Sequence, residues 1–170
     1  MGFFDFVKEA GEKLFRAKDT EAASEALAGA PDDEAAKARV DELNRTASQA
    51  IEAYITTQGL QVTGLTVTFD GASGVATVFG VAGDQASKEK ILLCCGNVTG
   101  VSQVNDMMSV DQSQPEATFY TVVSGDNLSK VAKAHYGDAN KYLLIFEANK
   151  PMLSHPDKIY PGQVLRIPPL

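Results

Sequence analysis

Residues Asp111-Gln-Ser-Gln-Pro-Glu116 carry no apolar side chain, and this stretch constrains the fold more than any other. A segment with nothing to bury and a proline that cannot donate a ladder hydrogen bond reads as a linker. It divides the 170 residues into two units that must each bury a core of their own. With 44% hydrophobic residues, the chain has the material for that and is not a disordered polymer.

Upstream of the linker the hydrophobic period changes once. Val40, Leu43, Ala47, Ala50, Ile51 and Tyr54 fall on one helical stripe, with Asp32 or Asp33 placed to cap it and Gly59 to stop it. From Leu65 the period becomes two: Leu65, Val67 and Phe69 alternate with threonines, Asp70-Gly71 and Gly74 mark a turn, and Val75, Thr77 and Phe79 continue a second strand. Asp84 opens a short helix through Ala86, Ile91, Leu92 and Cys95, Gly96-Asn97 ends it, and Val101–Val110 reads as a third strand. Beyond the linker, Phe119–Val123 predicts a strand, Asn127–Tyr136 and Asn140–Asn149 predict helices, and Val164–Pro168 predicts a closing strand. The fold class is therefore α+β, built as two small domains.

The first 34 residues are read separately. Phe3, Val7, Ala10 and Leu14 follow helical spacing with acids and bases opposite, so residues 1–16 predict an N-terminal helix docked on the next unit. Residues 17–34 are rich in Ala, Glu and Asp and predict a solvated helix or connector ending near Gly29-Ala30-Pro31. The division that follows is 1–34 for the N-terminal region, 35–111 for the first domain, 112–117 for the linker and 118–170 for the second domain.

Charge and cysteine usage narrow the function classes. Fifteen basic against 22 acidic side chains give a formal charge of -7, which repels nucleic acid and anionic lipid. Two cysteines cannot frame a secreted disulfide scaffold, and the early charges Asp5, Lys8 and Glu9 interrupt any leader-like apolar run. No segment has the length of a membrane span. A soluble, cytoplasmic, monomeric protein is expected, without stable membrane insertion. No nucleophile elbow, HExxH, Walker loop or GxGxxG is present, so no enzyme and no catalytic residue is expected. His135 and His155 lack metal-ligand spacing. Cys94-Cys95 are adjacent and read as small buried hydrophobes, one facing the core and the other turned away from it.

Two family resemblances add to this. Tyr120-Thr121-Val122, Ser124-Gly125-Asp126, Leu128, His135-Tyr136-Gly137, Glu147-Ala148-Asn149 and the run Ile159–Pro168 resemble a LysM domain, of strand-helix-helix-strand order. Asn127 stands where that family usually has threonine, and both residues cap helices. Val75-Ala76-Thr77-Val78 with the loop Gly96-Asn97-Val98-Thr99-Gly100-Val101 resembles a BON domain, of helix-strand-strand-helix-strand order. A BON domain followed by LysM, behind Gly2-Phe-Phe-Asp-Phe-Val-Lys-Glu-Ala-Gly-Glu-Lys-Leu14, resembles the bacterial potassium-binding proteins of the BON–LysM type. Residues 17–34 are longer than that family usually carries.

The resemblance implies that K+ is the ligand, held by the backbone carbonyls of Val7, Ala10, Glu12, Gly96, Val98 and Val101, and that the protein is an ion sensor that compacts on binding. Backbone chemistry is compatible with this, because a large monovalent ion exchanges its hydration shell for neutral carbonyl oxygens, and these are free at helix ends and glycine-bearing loops. Taken without the resemblance, Gly96-Asn97 is a helix stop and Gly100 a tight turn. Two other classes remain. The LysM resemblance implies a groove for N-acetylglucosamine glycans such as peptidoglycan at Gly125, Asp126, Asn127, Leu128, Met152, Ile159 and Tyr160. The BON resemblance admits a lipid- or envelope-associated scaffold, and an unidentified protein partner is a further alternative beside a glycan bound by the LysM domain.

Overall fold

The computed structural model describes residues 2–170; the side chain of Phe3, assigned above to the apolar stripe, lies outside what it describes. The chain opens with strand β1 (Gly2–Asp5) and continues through helices α1 (Ala17–Gly29) and α2 (Glu34–Thr57). Strands β2 (Val62–Asp70) and β3 (Val75–Asp84), helix α3 (Gln85–Gly96) and strand β4 (Gln103–Gln112) follow. The remainder is β5 (Thr118–Thr121), α4 (Leu128–Tyr136), a 3-10 turn at Ala139–Lys141, α5 (Tyr142–Ala148) and β6 (Val164–Ile167).

Both expected element orders are present. Asp33 caps α2 by accepting from the amides of Ala35 and Ala36, Asp84 caps α3 through Ser87, and Asn127 caps α4 through Lys130. The Ser87 amide, with Lys90 nearby, holds the Asp84 carboxyl below the usual carboxylate range. In the first unit the sheet order is β1-β4-β3-β2, with β4 parallel to β3 and the other pairs antiparallel. Helices α2 and α3 pack on the sheet and on each other, and Ile51, Ile55, Val78, Ile91, Leu92 and Val104 are fully buried between them. A second core gathers Val122, Leu128, Val131, Ala132, Ile145, Leu153, Leu165 and Ile167 around the two-stranded sheet β5-β6.

The N-terminal segment departs from expectation. The described part of that segment, residues 2–16, is not a helix: β1 pairs with β4, Phe4 opposite Val104, and the chain then runs through turns to a single bridge at Glu12. Phe4, Phe6 and Ala10 are half-buried while Asp5, Val7 and Glu9 are exposed, a period of two rather than 3.6. The edge of β4 offers ladder hydrogen bonds in place of a helix's own and apolar cover for alternate side chains, while Gly11 inside a helix here would weaken it by about 1 kcal/mol. Docking itself holds, since Phe4, Phe6, Leu14 and Phe15 pack on the first core. The segment 17–34 is largely the helix α1.

Helix α3 departs too. Cys94 and Cys95 are both fully buried, because the sheet covers one side of the helix and β6 of the second unit contacts it as well. Burial pushes the Cys94 thiol up to about 12 and that of Cys95 higher still. A raised folded value means the thiols' contribution to stability is complete below the unfolded value of about 8.5 and is lost as pH climbs above it. Native protein at about pH 8 is expected to resist iodoacetamide while the denatured chain takes up label at both cysteines. Rapid labelling of the native state, followed by mass spectrometry, would contradict this burial.

Candidate functional site

The six carbonyls implied by the resemblance belong to two irregular segments, and the fold stitches these together. The first is the passage from β1 to Glu12, the second the loop between α3 and β4. Glu12 and Val98 form a parallel bridge. The Glu12 amide donates to the Asn97 carbonyl at 2.8 Å, the Thr99 amide donates to the Glu12 carbonyl at 2.8 Å, and the Gly100 amide donates to the Lys8 carbonyl at 2.7 Å. The Thr99 hydroxyl adds a bond to the Gly11 carbonyl at 3.0 Å. Gly11 permits the approach: its φ is +111°, and a Cβ there would stand 2.2 Å from the Asn97 oxygen.

This stitching has a consequence for the end of α3. As the last residue of the helix, Gly96 has a carbonyl with no intrahelical partner, and only a continuing helix would bring the amides of Thr99 and Gly100 onto it. Here they turn to Glu12 and Lys8. No hydrogen bond among the described residues reaches the carbonyls of Ala10, Gly96 or Val101, while those of Val7, Glu12 and Val98 each accept one, from Ala10, Thr99 and Val101. A carbonyl has two acceptor positions, so all six retain capacity for a ligand. The donor set is neutral oxygen throughout, which fits a large monovalent cation and not a transition metal. Among the described residues no group of three His, Cys, Asp or Glu side chains is gathered.

The loop is also tied to the second unit, which sequence reasoning missed. Asn97 is buried, and its side chain donates to the Val164 carbonyl at 2.9 Å and accepts from the Val164 amide at 2.8 Å. Asn149 does the same for Arg166, at 2.8 and 2.7 Å. Two carboxamides thus serve the edge of β6 as a neighbouring strand would. The turn carrying Gly162 lies against Val7 and Ala10, close enough that a Cβ on Gly162 would meet Ala10 Cβ at 2.8 Å. Glu89, buried in α3, completes the junction: one carboxylate oxygen accepts from Gln85 and the Ala117 amide, the other pairs with Arg166 Nε at 2.6 Å. The polar linker is therefore anchored at its far end.

The groove residues fall into separate places. Asn127 and Leu128 line a cavity of about 510 Å³ with Tyr142, His155 and Asp157. Met152 and Tyr160 line a different one, beside Glu12 and Asn97. Ile159 packs on the second core, and the Gly125 carbonyl accepts from Lys130 Nζ at 2.8 Å. Asp126 is committed locally, accepting from the Val123 amide and the Tyr120 hydroxyl. Those two bonds hold its carboxyl below the usual carboxylate range.

A LysM domain family model matches residues 120–168. Over 169 residues the chain is 44% identical to the potassium binding protein Kbp of Escherichia coli, covering 99% of both chains. The chain belongs to the Kbp family. Other relatives share only a part. An uncharacterized protein of Deinococcus radiodurans is 53% identical over 51 residues, 30% of this chain and 19% of its own. An esterase of Mycobacterium tuberculosis is 45% identical over 64 residues, 36% of this chain and 14% of its own. The Kbp match runs through both segments that frame the candidate ion shell, whereas the esterase match leaves most of the enzyme without a counterpart here. None of the helices among the described residues is long and apolar enough to cross a membrane.

Proposed function

We propose that this chain binds K+ through the backbone carbonyls of Val7, Ala10, Glu12, Gly96, Val98 and Val101, and acts as a cytoplasmic, non-enzymatic ion sensor. The observation that carries the proposal is that the two stitched segments hold carbonyls, those of Ala10, Gly96 and Val101, that accept no hydrogen bond among the described residues, which leaves oxygen on both segments available to a cation. Full-length similarity to a potassium binding protein supports the choice of ion. The ion bridges two segments that are far apart in the chain, so its binding favours the docked, compact form. The division into 1–34, 35–111, 112–117 and 118–170, with a BON domain in the second segment, is part of the same proposal.

A ligand that binds only the docked form stabilises it by mass action, by about 2.7 kcal/mol at a hundredfold excess over its dissociation constant. Thermal unfolding is therefore expected to shift upward as potassium chloride is titrated at constant ionic strength, and to shift much less with sodium chloride. Equal shifts for the two ions, or none for potassium, would sink the proposal.

A second function is supported by the LysM match and by the cavity at Asn127, Leu128, Tyr142 and His155. Its size suits a short glycan. Retention of the full chain on peptidoglycan, reduced by Tyr142→Ala, is the measurement that would support it.

A further inference from the structure

Between the N-terminal segment, α2 and the loop before β6 lies a cavity of about 310 Å³ whose side chains take no part in the ion shell, and which holds Met152 and Tyr160 of the expected glycan groove apart from Asn127 and Leu128. Glu12, Tyr54, Asn97, Ser154, Lys158 and Tyr160 contribute polar groups to it. Asn97 is buried at its base and spends its carboxamide on Val164. The rest are different. Among the described residues, the Glu12 carboxylate, the Lys158 ammonium and the hydroxyls of Tyr54 and Tyr160 make no hydrogen bond or ion pair. Glu12 and Lys158 are exposed and flank the mouth, while both tyrosines are half-buried along the wall.

The protonation of the wall follows from its surroundings. Burial first, and the Glu12 charge in addition, push the Tyr160 phenol up to about 12 and that of Tyr54 higher. Both therefore remain O–H donors at neutral pH. Beside the Ser154 hydroxyl and the Gln163 carboxamide, whose oxygen accepts from the Tyr160 amide, the cavity thus offers one acceptor charge, one donor charge and two neutral phenol donors, at a volume near the lower limit of ligand pockets. A simple anion would meet Glu12 unpaired and a simple cation would meet Lys158 unpaired, each at a cost in affinity.

We propose that this cavity is a binding site for a small zwitterion of the α-amino-acid type, its ammonium held by Glu12 and its carboxylate by Lys158 with the Tyr54 and Tyr160 hydroxyls. The site uses the Glu12 side chain and leaves the Glu12 carbonyl untouched, so it stands independently of the potassium proposal.

Titration calorimetry on the full chain, with L-glutamine and L-alanine as probes, tests the site. N-acetyl-L-glutamine and L-alaninamide, each missing one charge, serve as comparisons. Saturable heat is expected for both zwitterions, in sodium and in potassium salts alike. Each single-charge analogue, and each of the variants Lys158→Met and Glu12→Gln, is expected to bind at least about tenfold more weakly, the loss of one charge-assisted hydrogen bond. Tyr160→Phe retains the ring and the packing, and is expected to weaken binding by a smaller factor without altering thermal unfolding. No saturable heat from either zwitterion in the millimolar range, or unchanged affinity in folded Lys158→Met, would overturn the assignment.

Discussion

Replacing Gly11 with alanine is expected to cost about 2–5 kcal/mol of stability and to abolish the potassium-dependent shift in thermal unfolding. The two effects share one cause. At φ +111° an alanine is strained, and its Cβ would lie 2.2 Å from the Asn97 oxygen and 2.6 Å from the Asn97 carbonyl carbon. Those are backbone atoms, so no rotamer change relieves the clash, and the segments must separate. Separation breaks the bonds from Glu12 to Asn97 and from Thr99 to Glu12. It also releases the Gly100 amide from Lys8, so the two segments that carry the oxygens proposed for the ion are no longer held side by side. Gly29→Ala is the control: nothing lies within 4 Å of that Cβ, and φ is not in the left-handed region. It is expected to leave stability unchanged or raise it by a few tenths of a kcal/mol. Urea unfolding of both variants, with and without potassium, separates the outcomes. A Gly11→Ala protein that kept its full potassium response would refute the bridged shell.

What the sequence could disclose follows from where each signal resides. Helix caps, period-two strands and the turn at Asp70-Gly71 are encoded in side chains close together in the chain, and Asp33, Asp84 and Asn127 do cap the helices they precede. Strand β1 is not encoded that way. Its residues satisfy two periods at once, and the partner that decides between them is the β4 edge about a hundred residues away. The alternation of Phe4, Asp5 and Phe6 was the usable sign. Both buried cysteines had a sign as well: Ile91, Leu92, Leu93, Cys94 and Cys95 make that part of α3 apolar all round, which requires cover on more than one side. The ion shell is illegible by composition because every residue carries a carbonyl. What distinguishes Gly96 is that the fold lays the N-terminal segment beside the open end of its helix. Asn97 looked like an ordinary helix stop, and only the fold reveals that it also serves Val164.

Glu89 is the residue whose loss is expected to part the two units. Its carboxylate is buried, and it satisfies three donors from separate places: Gln85 on its own helix, the Ala117 amide at the end of the linker, and Arg166 in β6. Removing one partner of a buried pair leaves the other charge desolvated and unpaired, at a cost of about 3–5 kcal/mol. Here Glu89→Met strands the Arg166 guanidinium, only 8% of whose residue surface is exposed, and the Ala117 amide with it. Arg166→Met strands the Glu89 carboxylate, but Gln85 and Ala117 still donate to it, so the expected loss is smaller. The double variant Glu89→Met, Arg166→Met carries no buried charge, and it is expected to recover much of what either single change removes. Because the Ala117 amide loses its acceptor only when Glu89 is replaced, Glu89→Met is also expected to expose the 113–117 stretch to proteolysis while the first core stays folded, and Arg166→Met to expose it much less. A double-mutant cycle by urea unfolding, read beside limited proteolysis, decides the point. Single substitutions costing under about 1 kcal/mol, and additive in the double variant, would show that the pair does not hold the junction.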